Sequence, residues 1–196
     1  MLYIVRNAGW SPRSYDRWDT SDGSSFVVTG KRVSPDLVAS CLIDAYFLKD
    51  LGRAGQHFNG KGIEAGVDMN TTLSLVRKYA KEPDMYSFRC AIETVIAGAC
   101  WPASRVAEIH PHFELTCPRC GALVEDSLHT FYLCPSNNNI EDPAVSQTQT
   151  LIQAAVAEAE SYPCLWFRGV LPASLAPVPE IEYWPPAVYI GDLAGA

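Results

Sequence analysis

The chain contains no run of about 18 consecutive apolar residues, so a membrane-spanning helix is excluded and no membrane partner is expected. Its start, Met1-Leu2-Tyr3-Ile4-Val5-Arg6, lacks a basic region followed by a long apolar run. A secretory leader is therefore not expected, and the location implied is intracellular, cytoplasmic or nuclear. No two aspartates are adjacent, which removes a common signature of two-metal phosphoryl chemistry. There is no Gly-x-x-x-x-Gly-Lys-Ser/Thr loop and no Gly-x-Ser-x-Gly elbow. Gly60-Lys61-Gly62 has neither the preceding strand nor the following helix of a phosphate cradle. The chain reads as non-catalytic, with no small-molecule substrate. Basic residues are also scarce late in the chain: after residue 135 only Arg168 stands against seven acidic groups. That last third is a poor surface for phosphates.

What is present suits an ordinary domain, alone or with a small module. The 196 residues are 48% hydrophobic and 19% charged, enough apolar material for a core and too little charge for wholesale disorder. The net charge of −7 argues against a protein that coats nucleic acid along its length. The seven cysteines are an odd number, and without a leader a disulfide framework is a weak reading. Cys41, Cys90, Cys100 and Cys164 sit among apolar neighbours and read as small buried hydrophobes.

The pattern along the chain is mainly α. Residues 1–33 form an irregular start and a hairpin, with Ser14–Trp18 and Ser25–Thr29 flanking the turn pair Asp22-Gly23. Residues 34–110 are a helical region. Ser34-Pro35-Asp36 supplies a cap, a first-turn proline and an acid, and Gly52 closes the run. Residues 52–67, with five glycines, read as a mobile loop. Asn70 or Thr71 caps a short helix, Pro83 opens a longer one, and Trp101-Pro102 separates it from a last short helix ending near Ile109. Residues 111–137 hold a compact metal-binding candidate. Asp142-Pro143 caps a helix within 138–162. Residues 163–196, with six prolines, read as an extended tail or linker and not as a packed helix.

The chemistry concentrates in Cys117-Pro118-Arg119-Cys120, followed by His129 and Cys134: Cys-x2-Cys-x8-His-x4-Cys. Zinc favours four soft or borderline ligands in a tetrahedron, and the two-residue gap lets one turn aim both sulfurs at one point. Gly121 fits such a turn, which calls for positive φ and N–H groups facing sulfur. Asp126 or Ser127 can cap a short helix carrying His129, and Pro135 stops it. On an ideal helix the five residues from His129 to Cys134 rotate about 140° past one turn, so the last turn must loosen at Cys134. Leu123, Leu128, Phe131 and Leu133 are the expected apolar shell. Four protein ligands leave no open position, so the zinc is structural. His110 and His112, on either side of Pro111, read as surface residues, with either one an alternative ligand.

The run Cys117-Pro118-Arg119-Cys120-Gly121-Ala122, then Glu125-Asp126-Ser127-Leu128-His129-Thr130, then Cys134-Pro135, resembles the zinc-binding segment downstream of the polymerase in non-LTR retrotransposon reverse transcriptases. The strong match covers about 20 residues and includes all four ligands. Arg105 resembles the basic residue that precedes that module. Leu165–Pro172 is similar to the linker ahead of RNase H in some elements. The resemblance implies a connection region between two enzymes, with both enzymes lacking here.

Two functions follow. In the first, the knuckle binds single-stranded RNA or DNA weakly through Arg105, Arg119 and Tyr132, since knuckles present basic and aromatic groups to unstacked bases. In the second, the zinc is a staple that joins helical segments 83–109 and 143–160, or serves a protein-interaction module, with no nucleic acid bound. The oligomeric state is left open.

Overall fold

The computed structural model describes residues 2–21, 23–29 and 33–176. It separates into two compact units, one of residues up to Arg53 and one spanning Ala54–Ala176. The mainly helical fold expected from the sequence is what is seen.

The first unit opens with helix α1 (Leu2–Asn7), where the sequence pattern suggests only irregular chain. Strands β1 (Ser11–Pro12), β2 (Arg17–Asp19) and β3 (Ser25–Val27) follow. They form an antiparallel sheet in the order β1-β2-β3, with Trp18 opposite Phe26. The expected hairpin is therefore present and gains a third strand. Gly23 adopts φ +86°, as the turn requires, while its partner Asp22 lies outside the described residues. Val5, Ala8, Trp10 and Trp18 are buried together, and the two indoles meet edge to face with centroids 6.3 Å apart. Helix α2 (Pro35–Gln56) covers this cluster with Val38, Cys41, Leu42 and Ala45. The Ser34 hydroxyl accepts from the Leu37 N–H at 3.1 Å, the expected cap. Gly52 does not end the helix, which continues to Gln56. A glycine costs a helix about 1 kcal/mol but does not by itself break it.

In the second unit, residues 57–67, which the glycine content marks as a loop, form a run of turns. Ile63 is buried, and Gly60 and Gly62 are packed against backbone and sulfur. A Cβ on Gly62, which has φ +105°, would stand 2.8 Å from Cys164 Sγ. Gly62→Ala is expected to cost about 1–3 kcal/mol through strain and overpacking, and thermal unfolding of the variant checks this. Asp68, not Asn70 or Thr71, caps helix α3 (Met69–Thr72), accepting from both of their N–H groups. Those bonds and the Thr71 hydroxyl hold the Asp68 carboxyl below its ordinary value. Helix α4 (Ser74–Tyr79) leads to α5 (Tyr86–Ile96), opened by a 3-10 turn at Pro83, and α6 (Ala103–Ile109) follows Pro102. Asp142 caps α7 (Pro143–Thr148), and a 3-10 turn joins it to α8 (Ile152–Glu158).

The span expected to begin an extended tail is instead packed. Pro163 sits at the first position of helix α9 (Pro163–Arg168), which Gly169 ends at φ +62°. Cys164 and Pro172 are fully buried, and the main chain of Leu171 receives the Asp68 N–H at 2.9 Å. Proline counts misled here because Pro163 and Pro172 act as a helix start and a core side chain. Residues 177–196, the rest of the expected tail, lie outside the described residues. Cys164 matches its reading as a buried hydrophobe, and burial raises its thiol above the ordinary value. Cys41, Cys90 and Cys100 are only partly buried.

Candidate metal centre

The four residues singled out by spacing converge. The donor atoms of Cys117, Cys120, His129 and Cys134 all lie within 4.8 Å of one another. Cys117 Sγ is 4.0 Å from Cys134 Sγ, and Cys120 Sγ is 3.3 Å from His129 Nε2. Bonds of about 2.3 Å to sulfur and about 2.05 Å to nitrogen give tetrahedral edges of about 3.8 Å and 3.6 Å. The three sulfurs and one imidazole nitrogen therefore lie close enough together to hold a metal ion. His110 and His112 are exposed and outside this cluster.

The first ligand pair is built by backbone. The Cys117 N–H bonds to the Ala122 carbonyl at 2.8 Å, and the Gly121 N–H returns to the Cys117 carbonyl at 2.9 Å. This closure needs Gly121 at φ +76°, as expected from its position after Cys120. The turn aims N–H groups at sulfur. Burial opposes ionisation of Cys117, but the N–H groups of Arg119 and Cys120 and the neighbouring His129 hold the thiol below its ordinary value. The same balance, with Ser136 donating, lowers Cys134. At Cys120 the Ala122 N–H acts to lower the thiol, yet burial and the two other sulfurs outweigh it and the value is raised. Three thiols crowded without a cation cannot all ionise, and a divalent cation relieves that conflict.

The second pair solves the spacing problem with a wide turn. Asp126 starts it, its side chain accepting from the His129 N–H at 2.7 Å. His129–Leu133 then form a π turn, in which the Cys134 N–H reaches the His129 carbonyl at 2.8 Å. An i→i+5 bond brings residues five apart onto one face, which an α-helix cannot do. The loosening expected at Cys134 is thus spread over the whole turn. Cys134 itself is extended, with φ −66° and ψ 118°, and Pro135 begins a 3-10 turn through Asn139.

The three residues expected to meet nucleic acid are all engaged within the fold. Arg119 donates to Asn137 Oδ1 at 2.8 Å and to the Thr130 carbonyl at 2.9 Å, clamping the first ligand turn to the second. Tyr132 donates its hydroxyl to the Trp166 carbonyl at 2.8 Å, and burial pushes the pKa of its phenol above the ordinary value. Its ring meets the Trp166 indole at 6.1 Å, while Phe131 stacks on Phe167 at 6.5 Å. Arg105 pairs with Glu108, and its guanidinium lies over the Phe58 and Trp101 rings. It is not brought to the metal ligands' own turns.

Other residues of the centre carry no signal in the ligand spacing. Asn137, 6% exposed, donates toward the Thr130 and Phe131 carbonyls while accepting from Arg119. Buried Ser127 takes the Asn59 amide at 2.9 Å. Glu125 receives the Ala103 N–H, tying α6 to the module, and accepts the Cys117 thiol at 3.7 Å. Of the expected apolar shell, Leu128 and Phe131 are partly buried, but Leu123 is 85% exposed and Leu133 is also exposed. The module is too short to surround its metal with side chains on every side, so outward-facing positions keep their leucines in solvent.

No protein-family model matches the chain, and no curated protein or solved structure does so.

Proposed function

We propose that the chain is a non-catalytic scaffold whose Cys3His centre binds zinc and fixes residues 115–139 against α6, α8 and α9. The observation that carries this reading is the closure of the centre. Four protein donors converge and leave no position for a substrate, while Arg119 and Tyr132 beside them turn inward. Arg119 and Tyr132, the groups best suited to bases and phosphates, serve instead as cross-links within the fold. A connection module of the kind that the Cys-Pro-Arg-Cys-Gly run resembles would need such rigidity.

The test compares zinc-loaded and chelator-treated protein by hydrogen exchange and by anisotropy of a labelled single strand. The expected result is protection of 115–139 that depends on zinc, with no oligonucleotide binding at moderate salt. Oligonucleotide binding that Arg119→Ala abolishes while zinc is retained would replace this reading with the nucleic-acid one. Release of zinc on acidification is expected as well, because protons compete for three thiolates and an imidazole. Metal content measured across a pH series checks it, and constant occupancy into strong acid would contradict the ligand set.

A further inference from the structure

The metal module carries exposed apolar side chains interleaved with carboxylates, and its cations are already used. Ile109, Phe113, Leu115, Leu123 and Val124 are all 40% exposed or more. They sit on two runs that the backbone holds together: the Glu125 N–H bonds to the Leu115 carbonyl at 2.8 Å, and the Phe113 N–H returns to His110 at 2.8 Å. Glu114, Glu125 and Asp126 alternate with them in the same runs, while Glu108 is neutralised by Arg105. No lysine or arginine occurs in residues 106–118 or 120–167. The two arginines that bound these runs are spoken for, Arg105 by Glu108 and Arg119 by Thr130 and Asn137. A divalent ion held by three thiolates and a neutral imidazole adds one further excess negative charge.

From this combination we infer that the outer face of the knuckle, formed by residues 108–115 and 123–126, docks a basic amphipathic segment of a partner protein. The inference rests on the scaffold reading, because the zinc-held turns present these residues. Exposed apolar area of this kind marks an interaction site when it is concentrated, and surrounding charge selects the partner. The charge sign decides among occupants. A phosphate backbone or an anionic bilayer would meet carboxylates with no lysine or arginine in these two runs free to offset them. A second copy would place two acidic faces in contact. A helix with leucines on one side and lysines on the other satisfies both the apolar and the acidic components.

The probe is a fluorescent Leu/Lys amphipathic peptide of about 18 residues, added to the full zinc-loaded chain, with a Leu/Glu peptide and a labelled single-stranded oligonucleotide as comparators. Saturable binding of the Leu/Lys peptide alone is expected, weakening by about threefold or more when salt rises from low to physiological strength. Leu123→Ser with Val124→Ser should weaken it by about tenfold or more. Ile43→Ser with Leu48→Ser, exposed apolar positions on α2, should leave it unchanged. Equal binding of the Leu/Glu peptide, tighter binding of the oligonucleotide, or equal loss from both pairs of substitutions would overturn the proposal. Metal content is measured on every variant. A chain that holds no zinc fails the scaffold reading, whereas a zinc-loaded chain that ignores the peptide fails only the docking proposal.

Discussion

Serine at position 134 is expected to empty the metal centre and unfold residues 115–139 while leaving the first unit intact. Cys134 is 2% exposed and lies 4.0 Å from Cys117 Sγ, so its loss leaves three donors around a cavity shaped for four. The apolar contribution of this segment is small, since Leu123, Val124 and Leu133 face solvent. Its order is therefore expected to depend on a bound metal, since metal binding in comparable small modules contributes about 10–16 kcal/mol at neutral pH. Cys134 also supplies the N–H that closes the π turn and the position from which Pro135 starts the next turn. Native mass spectrometry should show one zinc in the parent chain and none in Cys134→Ser. Hydrogen exchange should rise across 115–139 and fall off at Trp166 and Phe167 of α9, against which Tyr132 and Phe131 pack. The same exchange pattern from chelator-treated parent protein would tie the effect to the metal and not to the substitution. Retention of a full complement of zinc by Cys134→Ser would refute the ligand assignment.

The contrast between the metal ligands and the rest of the centre shows what spacing can carry. Cys117, Cys120, His129 and Cys134 were legible because chemistry restricts which residue types hold a metal and because two of the gaps are short. Gly121 was legible for a related reason, since the turn between the first two ligands demands positive φ. The helical elements from Pro83 to Ile109 and after Asp142 were legible from caps, prolines and apolar stripes. Asn137 was not, because its three partners are main-chain carbonyls and a guanidinium that only the folded geometry assembles. The helix at Pro163–Arg168 was hidden by composition: a proline count cannot distinguish a linker from a first-turn proline followed by a packed turn. The glycines near residue 60 are ambiguous in the same way. Glycine signals either mobility or close approach, and only tertiary contacts such as that of Gly62 with Cys164 decide which. Arg119 lies between the first two ligands in sequence, but no local pattern shows that its guanidinium turns back onto the second ligand turn.

Arg168→Met is expected to destabilise the second unit by about 2–4 kcal/mol, with Arg168→Lys recovering only part of the loss. The reason begins at the end of α5. There the Ala99 N–H bonds to the Thr94 carbonyl and the Gly98 N–H to the Val95 carbonyl, with Gly98 at φ +70°, the paired bonds of a Schellman ending. That ending leaves the Ile96 carbonyl without a main-chain donor in the cap. Arg168 reaches across from α9 and supplies two, Nε at 2.9 Å and a terminal nitrogen at 2.7 Å. Arg168 is 8% exposed and has no carboxylate partner in an ion pair among the described residues. Burial accordingly lowers its ionisation, with the Cys164 thiol acting in the opposite direction. The negative end of the α5 dipole and the forked carbonyl contact offset that desolvation. Methionine preserves most of the apolar stem but abandons a part-buried carbonyl, which alone costs about 1–3 kcal/mol. Lysine keeps the charge yet cannot fork a planar pair of donors onto one oxygen. Gly98 makes the arrangement exclusive, since a Cβ there would stand 3.2 Å from Arg168 Nε. Thermal unfolding should therefore show a fall of about 5–15 °C for Arg168→Met and a smaller one for Arg168→Lys. Zinc content should be unchanged in both, because Arg168 reaches Ile96 and not the metal ligands. A methionine variant as stable as the parent would show that the α5 ending needs no donor from α9.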